Sequence, residues 1–163
     1  MNIFDILRTD HHDLLLKLEN LLEPNGEDQN RLLRDLQTAL LAHGKAEEYV
    51  VYDRLRQVPH RGELADQLCD EHQQIDDQVD ELMRMGPERE EWDEKLTVLK
   101  TEVEAHLAEE ESVVFPILED ALNERDAEDL GRDFMSSRDD VLQQQHFPLE
   151  KRKAPEGAPS KFS

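Results

Sequence analysis

The sequence has 163 residues and a formal net charge of -21, because it contains 40 Asp and Glu residues but only 19 Lys and Arg residues. A chain this acidic is repelled by the phosphates of nucleic acid, so nucleic acid is not an expected partner. Leu, Ile, Val and Phe still make up about a quarter of the chain, which exceeds the content below which highly charged chains stay unfolded. We therefore expect a folded protein whose length suits one hydrophobic core.

The composition also indicates the cellular compartment of the protein. No apolar run approaches the ~18 residues that a membrane-spanning helix needs, and the N-terminal segment carries acids where a secretory signal carries bases. Cys69 is the single cysteine, so no intrachain disulfide can form and a reducing compartment is compatible. These features predict a cytoplasmic protein that does not bind membranes, with Cys69 as a small, buried apolar side chain.

Glycine and proline residues cluster at a few points, and the segments between them are rich in Leu, Glu and Asp. Helix-breaking residues confined to a few points are typical of long helices. The four predicted helices cover about 2–22, 28–57, 62–84 and 88–122. Pro87 is expected in the first turn of the fourth. A weaker pattern over 127–144, with Leu130, Phe134 and Val141, allows a fifth helix that covers one end of the others.

Short connections, such as the one at Pro24 and Gly26, make neighbouring helices antiparallel. The predicted fold class is therefore all-α, with the four helices in an up-down-up-down bundle. Residues 1–145 are expected to form this domain. Residues 146–163 have no periodicity and are expected to form a flexible, disordered tail.

Within each predicted helix the apolar residues recur at steps of three and four, as a stripe that faces a core requires. The stripes consist of Ile3, Leu7, Leu14, Leu18 and Leu21; Leu33, Leu36, Leu40 and Val50; Leu68, Ile75, Val79 and Leu82; and Trp92, Leu96, Leu99, Val103, Val113 and Ile117. Six positions that continue these steps are polar instead. They are His11, His43, Glu47, His72, His106 and Glu110.

Buried polar groups without partners cost roughly a few kcal/mol each, and a buried carboxylate costs more, unless something satisfies them together. Metal ions would satisfy all six. In an H-x-x-x-E pair the imidazole and the carboxylate lie one turn apart on one face of a helix, so both can bind one metal cluster. The chain contains this pair twice, at His43 with Glu47 and at His106 with Glu110. Imidazole and carboxylate ligands suit iron, manganese and zinc.

The chain also repeats itself. The Asp-His dipeptide that ends at His11 corresponds to the Glu-His dipeptide that ends at His72, at an offset of 61 residues. The block that begins at His43 corresponds to the block that begins at His106, at an offset of 63. The two halves are therefore predicted to be two helix hairpins of one design. A bundle with such pseudo-two-fold symmetry would hold a two-metal site with matched ligand sets.

With these residues the chain resembles the hemerythrin-like family, the HHE cation-binding domains, over about residues 3–122. The matching elements are Asp10-His11, His43-Glu47-Glu48, Glu71-His72, His106-Glu110-Glu111 and Phe115-Pro116. The resemblance implies two non-haem iron ions joined by an oxo or hydroxo bridge, with the carboxylates of Glu47 and Glu110 also bridging them. It further implies that the two histidines of the first hairpin bind one iron and those of the second hairpin bind the other.

One departure from the family pattern lies in the third helix. The oxygen-carrying hemerythrins have a second His one turn after the third-helix His, and this chain has Asp76 there. Asp76 could bind metal directly, hold a bound water or accept a hydrogen bond from a ligand imidazole. Without the extra His both irons are expected to keep an open coordination position, which disfavours simple reversible oxygen carriage.

The remaining histidines are not expected to bind metal. His12 points about 100° away from His11 on the helix. His60 lies in a predicted loop and His146 in the predicted tail.

The acids beside the H-x-x-x-E pairs, Glu48, Glu109 and Glu111, are expected on the solvated surface. Tyr52 and Phe115 occupy equivalent positions in the two halves, and we predict that they form the wall of the core without a redox role.

These features predict a di-iron protein that binds dioxygen or a related small molecule, such as nitric oxide or peroxide, in oxygen sensing, storage or a stress response. Manganese or zinc could take the place of iron. The main alternative is a di-iron redox enzyme that consumes peroxide or nitric oxide, or that donates iron for cluster repair. A third class is a metal-free or zinc-containing bundle whose acidic surface docks an unknown basic protein partner.

Overall fold

The computed structural model describes residues 1–23 and 28–145, and in these ranges the chain forms five helices and no strand. Helix α1 covers Ile3–Leu22, α3 covers Gly62–Met85 and α5 covers Glu124–Gln145. Helix α2 comprises Gln29–Ala46, a π-helical segment Glu47–Tyr52 and Asp53–Arg56, and α4 comprises Trp92–Glu109, a π-helical segment Glu110–Val114 and Phe115–Ala121. The predicted break at Pro24 and Gly26 and the predicted tail lie outside the described residues.

The first four helices form a closed bundle, since α1 packs on α2, α2 on α3, α3 on α4 and α4 on α1. The predicted all-α fold class and the additional fifth helix are thereby confirmed. Capping residues set the helix starts: the side chains of Asn2 and Asp28 each accept a hydrogen bond from a first-turn backbone N–H, at 3.0 Å. None of the helices in the described ranges is long and apolar enough to cross a membrane.

Helix α4 begins at Trp92, so the expectation that Pro87 lies in its first turn is wrong. Gly86 ends α3 with a φ of 83°, a conformation that favours glycine. A turn closed by the Arg89 amide on the Gly86 carbonyl oxygen follows, at 3.3 Å. The fully buried Trp92 indole then donates to the carbonyl oxygen of Leu82 at 3.3 Å. This anchor on α3 determines where α4 starts.

The two π-helical segments shift the inward face of their helices. A π turn contains one more residue than an α turn, so the residues after it advance by one position. The prediction that Val113 is a core residue is wrong, since its side chain is exposed and Val114 is fully buried in its place. In the same way Val51, and not Val50, is the fully buried valine of α2. Each π segment begins at the glutamate of an H-x-x-x-E pair.

The apolar core has two parts, with the polar stripe positions between them. On α1, Leu7 belongs to the first part, Leu18 belongs to the second and His11 lies between them. On α2 the order is reversed, because Leu36 belongs to the second part and Ala46 to the first. The reversal is what antiparallel neighbours require. The bundle thus places its polar side chains in a layer that is closed by apolar residues on both sides.

Helix α5 packs along α1 and α2. Its predicted core residues Leu130 and Phe134 are buried, and Phe134 is fully inaccessible. Close approach to α1 depends on Gly131, where an added Cβ would lie 2.9 Å from the Ile6 side chain and 3.1 Å from the Met1 carbonyl oxygen. The fifth helix is therefore an integral layer of the domain.

Truncation of Phe134 should show how much α5 contributes to stability. Because the ring is fully buried, Phe134→Ala is expected to lower the free energy of unfolding by about 3 to 5 kcal/mol. Met135→Ala is the matched control, since the next side chain on the same helix is 42% exposed and should change stability by less than about 0.5 kcal/mol. Urea unfolding of metal-free protein measures both. Equal, small effects would mean that α5 is not part of the cooperative core.

Candidate metal centre

All six polar stripe residues meet in the centre of the bundle. Their side-chain nitrogen and oxygen atoms form two groups, and within each group these atoms lie within 4.8 Å of one another. The first group contains His11, His43, Glu47 and Glu110, and the second contains Glu47, His72 and His106. Five of the six residues are buried, and the His72 side chain is 11% exposed. Each of the first four helices contributes at least one member, and Glu47 belongs to both groups.

Several atoms of this cluster lack hydrogen-bond partners although they are buried. Those that face the centre are Nε2 of His11 and His43, both carboxylate oxygens of Glu47 and one oxygen of Glu110. Leaving such groups unpaired is costly in a protein interior. Imidazole nitrogens and carboxylate oxygens are donors that bind divalent metals. The residues present therefore fit a metal centre, since metal ions would satisfy the atoms that the protein leaves unpaired.

Two acids that precede a histidine in the sequence orient a different histidine in space. The Nδ1 atom of His43 lies 3.1 Å from Oδ2 of Asp10, and Nδ1 of His106 lies 2.7 Å from Oε1 of Glu71. An ionised carboxylate can only accept a hydrogen bond, so in each pair the imidazole Nδ1–H donates. The opposite ring atom, Nε2, is thereby directed at the cluster, as in metal-binding histidines with an outer carboxylate.

The acids that follow the two buried glutamates contact the other two histidines. Oε2 of Glu111 lies 3.1 Å from Nδ1 of His11, and Oε1 of Glu48 lies 3.8 Å from Nδ1 of His72. The expectation that these acids belong only to the solvated surface is therefore wrong. All four histidines thus have a carboxylate next to Nδ1. The signal was in the sequence, because both H-x-x-x-E pairs continue with a second glutamate.

Tyr52 is fully buried, as predicted for the core wall, but its hydroxyl group reaches the cluster. The Tyr52 O–H donates to Oε2 of Glu110 at 2.9 Å and lies 3.1 Å from Nε2 of His72. The equivalent Phe115 carries no hydroxyl, and its ring stacks on His11 with a centroid distance of 6.2 Å. The two halves of the centre therefore differ in one polar group, which periodicity could not reveal.

The two buried glutamates have different protonation states. Burial and the adjacent Glu110 carboxylate raise the pKa of Glu47 to about 8. Burial also disfavours ionisation of Glu110, but its close contacts with Glu47 and with the His106 imidazole outweigh burial and hold the pKa of Glu110 well below its usual range. The close pair therefore carries one proton at neutral pH, which relieves the repulsion between the two carboxylates.

The four histidines of the cluster fall into two classes by the direction of their pKa shift. Burial lowers the pKa of His43, but the charge of Glu47 and a hydrogen bond with Asp10 reverse the shift and raise it to about 10. His106 behaves in the same way, and contacts with Glu110 raise its pKa to about 9 despite burial. For His11 and His72 burial dominates and lowers the pKa. Each hairpin therefore contributes one imidazolium and one neutral imidazole.

A small cavity adjoins the second group. The centre of a water-sized molecule can occupy about 20 Å³ inside this cavity. The lining includes His72, His106, Leu40, Leu41 and Asp76. A surface groove of about 370 Å³ is also lined by Leu40, Leu41 and Asp76. Asp76 thus lies between groove and cavity and is not a member of either group of converging ligand atoms. Burial raises the pKa of this carboxyl to about 6.

The other histidines lie apart from the centre. His12 and His60 are exposed, and neither belongs to a converging group in the described residues. His146 lies outside those residues. Cys69 is half-buried and packs against the first part of the core, with Sγ 3.9 Å from a guanidinium nitrogen of Arg56.

The fold and this cluster define a helical-bundle protein with a cation site, and comparison of the sequence identifies its family. Residues 2–118 match the Hemerythrin family, described as the hemerythrin HHE cation binding domain. The chain belongs to this family. HHE domains bind metal cations, and the buried His and Glu cluster of this chain is suited to that role.

Two individual proteins are similar to this chain. A hemerythrin HHE cation binding domain-containing protein from Mycobacterium kansasii has the same fold, with a TM-score of 0.80, 22% sequence identity and coverage of 93% of this chain and 94% of that one. A DNA nickase from Nostoc sp. (strain PCC 7120) is 25% identical over 144 residues, which is 88% of this chain but only 41% of that protein. The chain therefore spans about two fifths of the length of that relative.

Metal binding should displace protons from the centre. At pH 7 the neighbouring Glu47 and His43 side chains hold at least one proton and the His106 imidazolium another, and a metal must replace both, so two Zn²⁺ ions should release at least two protons. Apparent affinity should therefore rise with pH up to about 8 and less steeply above it. Calorimetric titration in buffers of different ionisation enthalpy measures the number. Release close to zero would mean that these groups are deprotonated before metal binds, and His60→Gln should behave as wild type.

Proposed function

We propose that the protein holds two iron ions in this centre and binds dioxygen, or a related small molecule such as nitric oxide or peroxide, in sensing, storage or a stress response. The observation that carries the proposal is the convergence of four imidazoles and two carboxylates whose facing atoms are buried and largely unpaired. Manganese and zinc accept the same donors, so the preference for iron rests on the likeness to hemerythrins. Bound iron would supply reversible redox chemistry and an oxo- or hydroxo-bridged pair of Lewis-acid centres.

The two groups of atoms support an assignment of ligands. His11 and His43 would hold one ion and His72 and His106 the other, with the carboxylates of Glu47 and Glu110 between them. Glu47 belongs to both groups. Oε1 of Glu110 lies 3.7 Å from Nε2 of His11 and 3.2 Å from Nε2 of His106, so each carboxylate faces a histidine of both hairpins. Hydrogen bonds with Glu111, Asp10 and Glu71 would keep the imidazoles of His11, His43 and His106 in the tautomer and orientation that a metal requires.

The cavity supports a very small ligand. Its volume of about 20 Å³ for the centre of a water-sized molecule is on the order of one or two water positions. A diatomic gas or peroxide fits this volume. We propose no nucleic-acid role, since the chain is strongly acidic and the nickase relative is matched over less than half its length. The single cysteine is compatible with the cytoplasmic location that the sequence predicts.

The direct test is optical. Protein loaded with Fe²⁺ without air and then exposed to air should develop the near-ultraviolet absorption of an oxo-bridged di-ferric centre, which the metal-free chain lacks. Nitric oxide added to the Fe²⁺-loaded protein should also change the spectrum. An air-exposed spectrum identical to that of metal-free protein would exclude the di-iron proposal.

A redox enzyme that consumes peroxide or nitric oxide is the second candidate. Tyr52 favours it, because its buried hydroxyl lies within hydrogen-bond distance of Glu110 and His72 and could hold or deliver a proton at the centre. Steady-state turnover of peroxide or nitric oxide with an added reductant separates this candidate from a binding protein. Tyr52→Phe should then lower turnover while metal content stays the same.

Metal content provides a stoichiometric prediction. Wild-type protein should bind two metal ions per chain. Glu47→Ala or Glu110→Ala should lose at least one ion, because each carboxylate is proposed to contact both. His60→Ala and His146→Ala should lose none. Elemental analysis after reconstitution and desalting measures the content, and one ion or fewer in the wild type would contradict the ligand assignment.

Asp76 offers a test of the chemistry of the cavity. Because Asp76 stands where oxygen-carrying hemerythrins have an additional His, Asp76→His should place an imidazole in the cavity and slow air oxidation of the Fe²⁺-loaded protein by about tenfold or more, a barrier increase of about 1.4 kcal/mol. Asp80→His is the matched control, one turn further along α3 and exposed in the outer groove. Stopped-flow absorbance measures both rates. A long-lived reversible oxygen adduct in the wild type would contradict the prediction.

A further inference from the structure

The fifth helix reaches the metal centre through one residue that the two-fold repeat does not supply. Arg138 of α5 donates a hydrogen bond through Nη1 to Oδ1 of Asp10. The other oxygen of the same carboxylate, Oδ2, lies 3.1 Å from Nδ1 of His43. The Asp10 side chain is 13% exposed and the Arg138 side chain 24% exposed, so both lie largely out of solvent. A continuous hydrogen-bonded chain therefore links a guanidinium on α5 to a candidate metal ligand on α2.

Phe134, one turn before Arg138 on α5, supports the same arrangement. Its fully buried ring lies edge-on to the His43 imidazole, with a centroid distance of 5.6 Å and an interplanar angle of 75°. The Arg138 guanidinium carbon lies 5.7 Å from the centroid of the Phe134 ring. Helix α5 thus contacts His43 twice, directly through an aromatic ring and indirectly through Asp10.

The second half of the centre has no equivalent contact. Glu71 takes the place of Asp10 there and lies 2.7 Å from Nδ1 of His106. Its other oxygen accepts from the amide nitrogen of Gln67 at 3.0 Å, and the same nitrogen lies 3.2 Å from Glu109. In the described part of the chain, Glu71 has no Arg or Lys partner. Asp10 is therefore held by a cation from another helix, whereas Glu71 is held by a neutral amide beside a second acid. The remaining two outer acids pair with nearby cations, Glu48 with Lys45 at 3.3 Å and Glu111 with Arg8 at 3.8 Å.

We infer that Arg138 is a positioning residue that fixes Asp10, and through it the His43 imidazole, so that the fifth helix controls one of two otherwise matched metal positions. This inference rests on the proposed two-metal centre. Without Arg138 the Asp10 carboxylate loses the partner that holds its Oδ1, so its side chain is free to turn towards solvent and the His43 ring loses its orientation. The position served by His72 and His106 has its own outer carboxylates and is unaffected.

Titration with Co²⁺ tests the inference, because Co²⁺ reports each binding step through its visible absorption. Wild-type protein should bind two Co²⁺ ions. Arg138→Gln should weaken one of the two steps by about tenfold or more and change the absorption of that ion, in the range that outer-residue substitutions cause, while the other step stays the same. Arg138→Lys should restore most of the affinity. Arg132→Gln, on the same helix at an exposed side chain paired with Asp129, should have no effect.

Combined variants test whether Arg138 acts through Asp10. In an Asp10→Asn background the further change Arg138→Gln should have less than about a twofold effect, because the link is already broken. In a Glu71→Gln background it should keep its full effect, because Glu71 serves the other position. Far-UV circular dichroism checks that each variant is folded.

The outcomes separate the two proposals. Binding of fewer than two Co²⁺ ions by the wild type would overturn the two-metal centre and this inference with it. Two ions in the wild type with no change in Arg138→Gln, with both steps weakened equally, or with an equal loss in the Asp10→Asn background, would overturn the role of Arg138 alone. Failure of Arg138→Lys to recover affinity would also count against a positioning contact made by a cation.

Discussion

The structure depends on the burial of two carboxylates beside four imidazoles in the middle of a helical bundle. Neither Glu47 nor Glu110 is accessible to solvent, so their charges have to be compensated by neighbouring groups. In the protein alone, a shared proton and two imidazoliums provide that compensation. Metal ions would provide it more completely, because they also pair the nitrogen and oxygen atoms that are left without partners. The two apolar parts of the core then act as walls that keep water from this layer.

The two-fold repeat explains how so short a chain orients four histidines. Each hairpin supplies acids to both hairpins. Asp10 and Glu48 of the first contact His43 and His72, and Glu71 and Glu111 of the second contact His106 and His11. Outer carboxylates therefore join the halves as well as orienting the imidazoles. The differences between the halves, a Tyr hydroxyl on one side and the cation of α5 on the other, are imposed on this common frame and give the two metal positions separate environments.

Most of the helical fold and the six central side chains followed from periodicity, because a polar residue that interrupts an apolar stripe has to face the core. The errors have a physical origin. A constant step of three or four predicts Val113 as the core residue. The π segment adds one residue to the turn, so Val114 is buried instead. The valines occur as adjacent pairs, and such a pair conceals the shift. The directions of the Glu48 and Glu111 side chains depend on the same π turns, so a constant step places these acids in solvent. The start of α4 depends on the contact of Trp92 with α3, which periodicity does not reveal.

The acidic surface around the cavity has a consequence for which molecules can approach it. Glu48 and Asp76 line the cavity beside Lys45 and the imidazoles of His43 and His106, and the chain as a whole carries a net charge of -21. Small anions such as superoxide or nitrite would therefore meet a repulsive long-range potential on approach, whereas neutral dioxygen, nitric oxide and hydrogen peroxide would not. Salt shortens the range of that potential to about 10 Å at 0.1 M, so ionic strength should accelerate the entry of anions and leave neutral molecules unchanged. The acidic surface would thus favour neutral over anionic oxygen and nitrogen species in reaching the proposed centre.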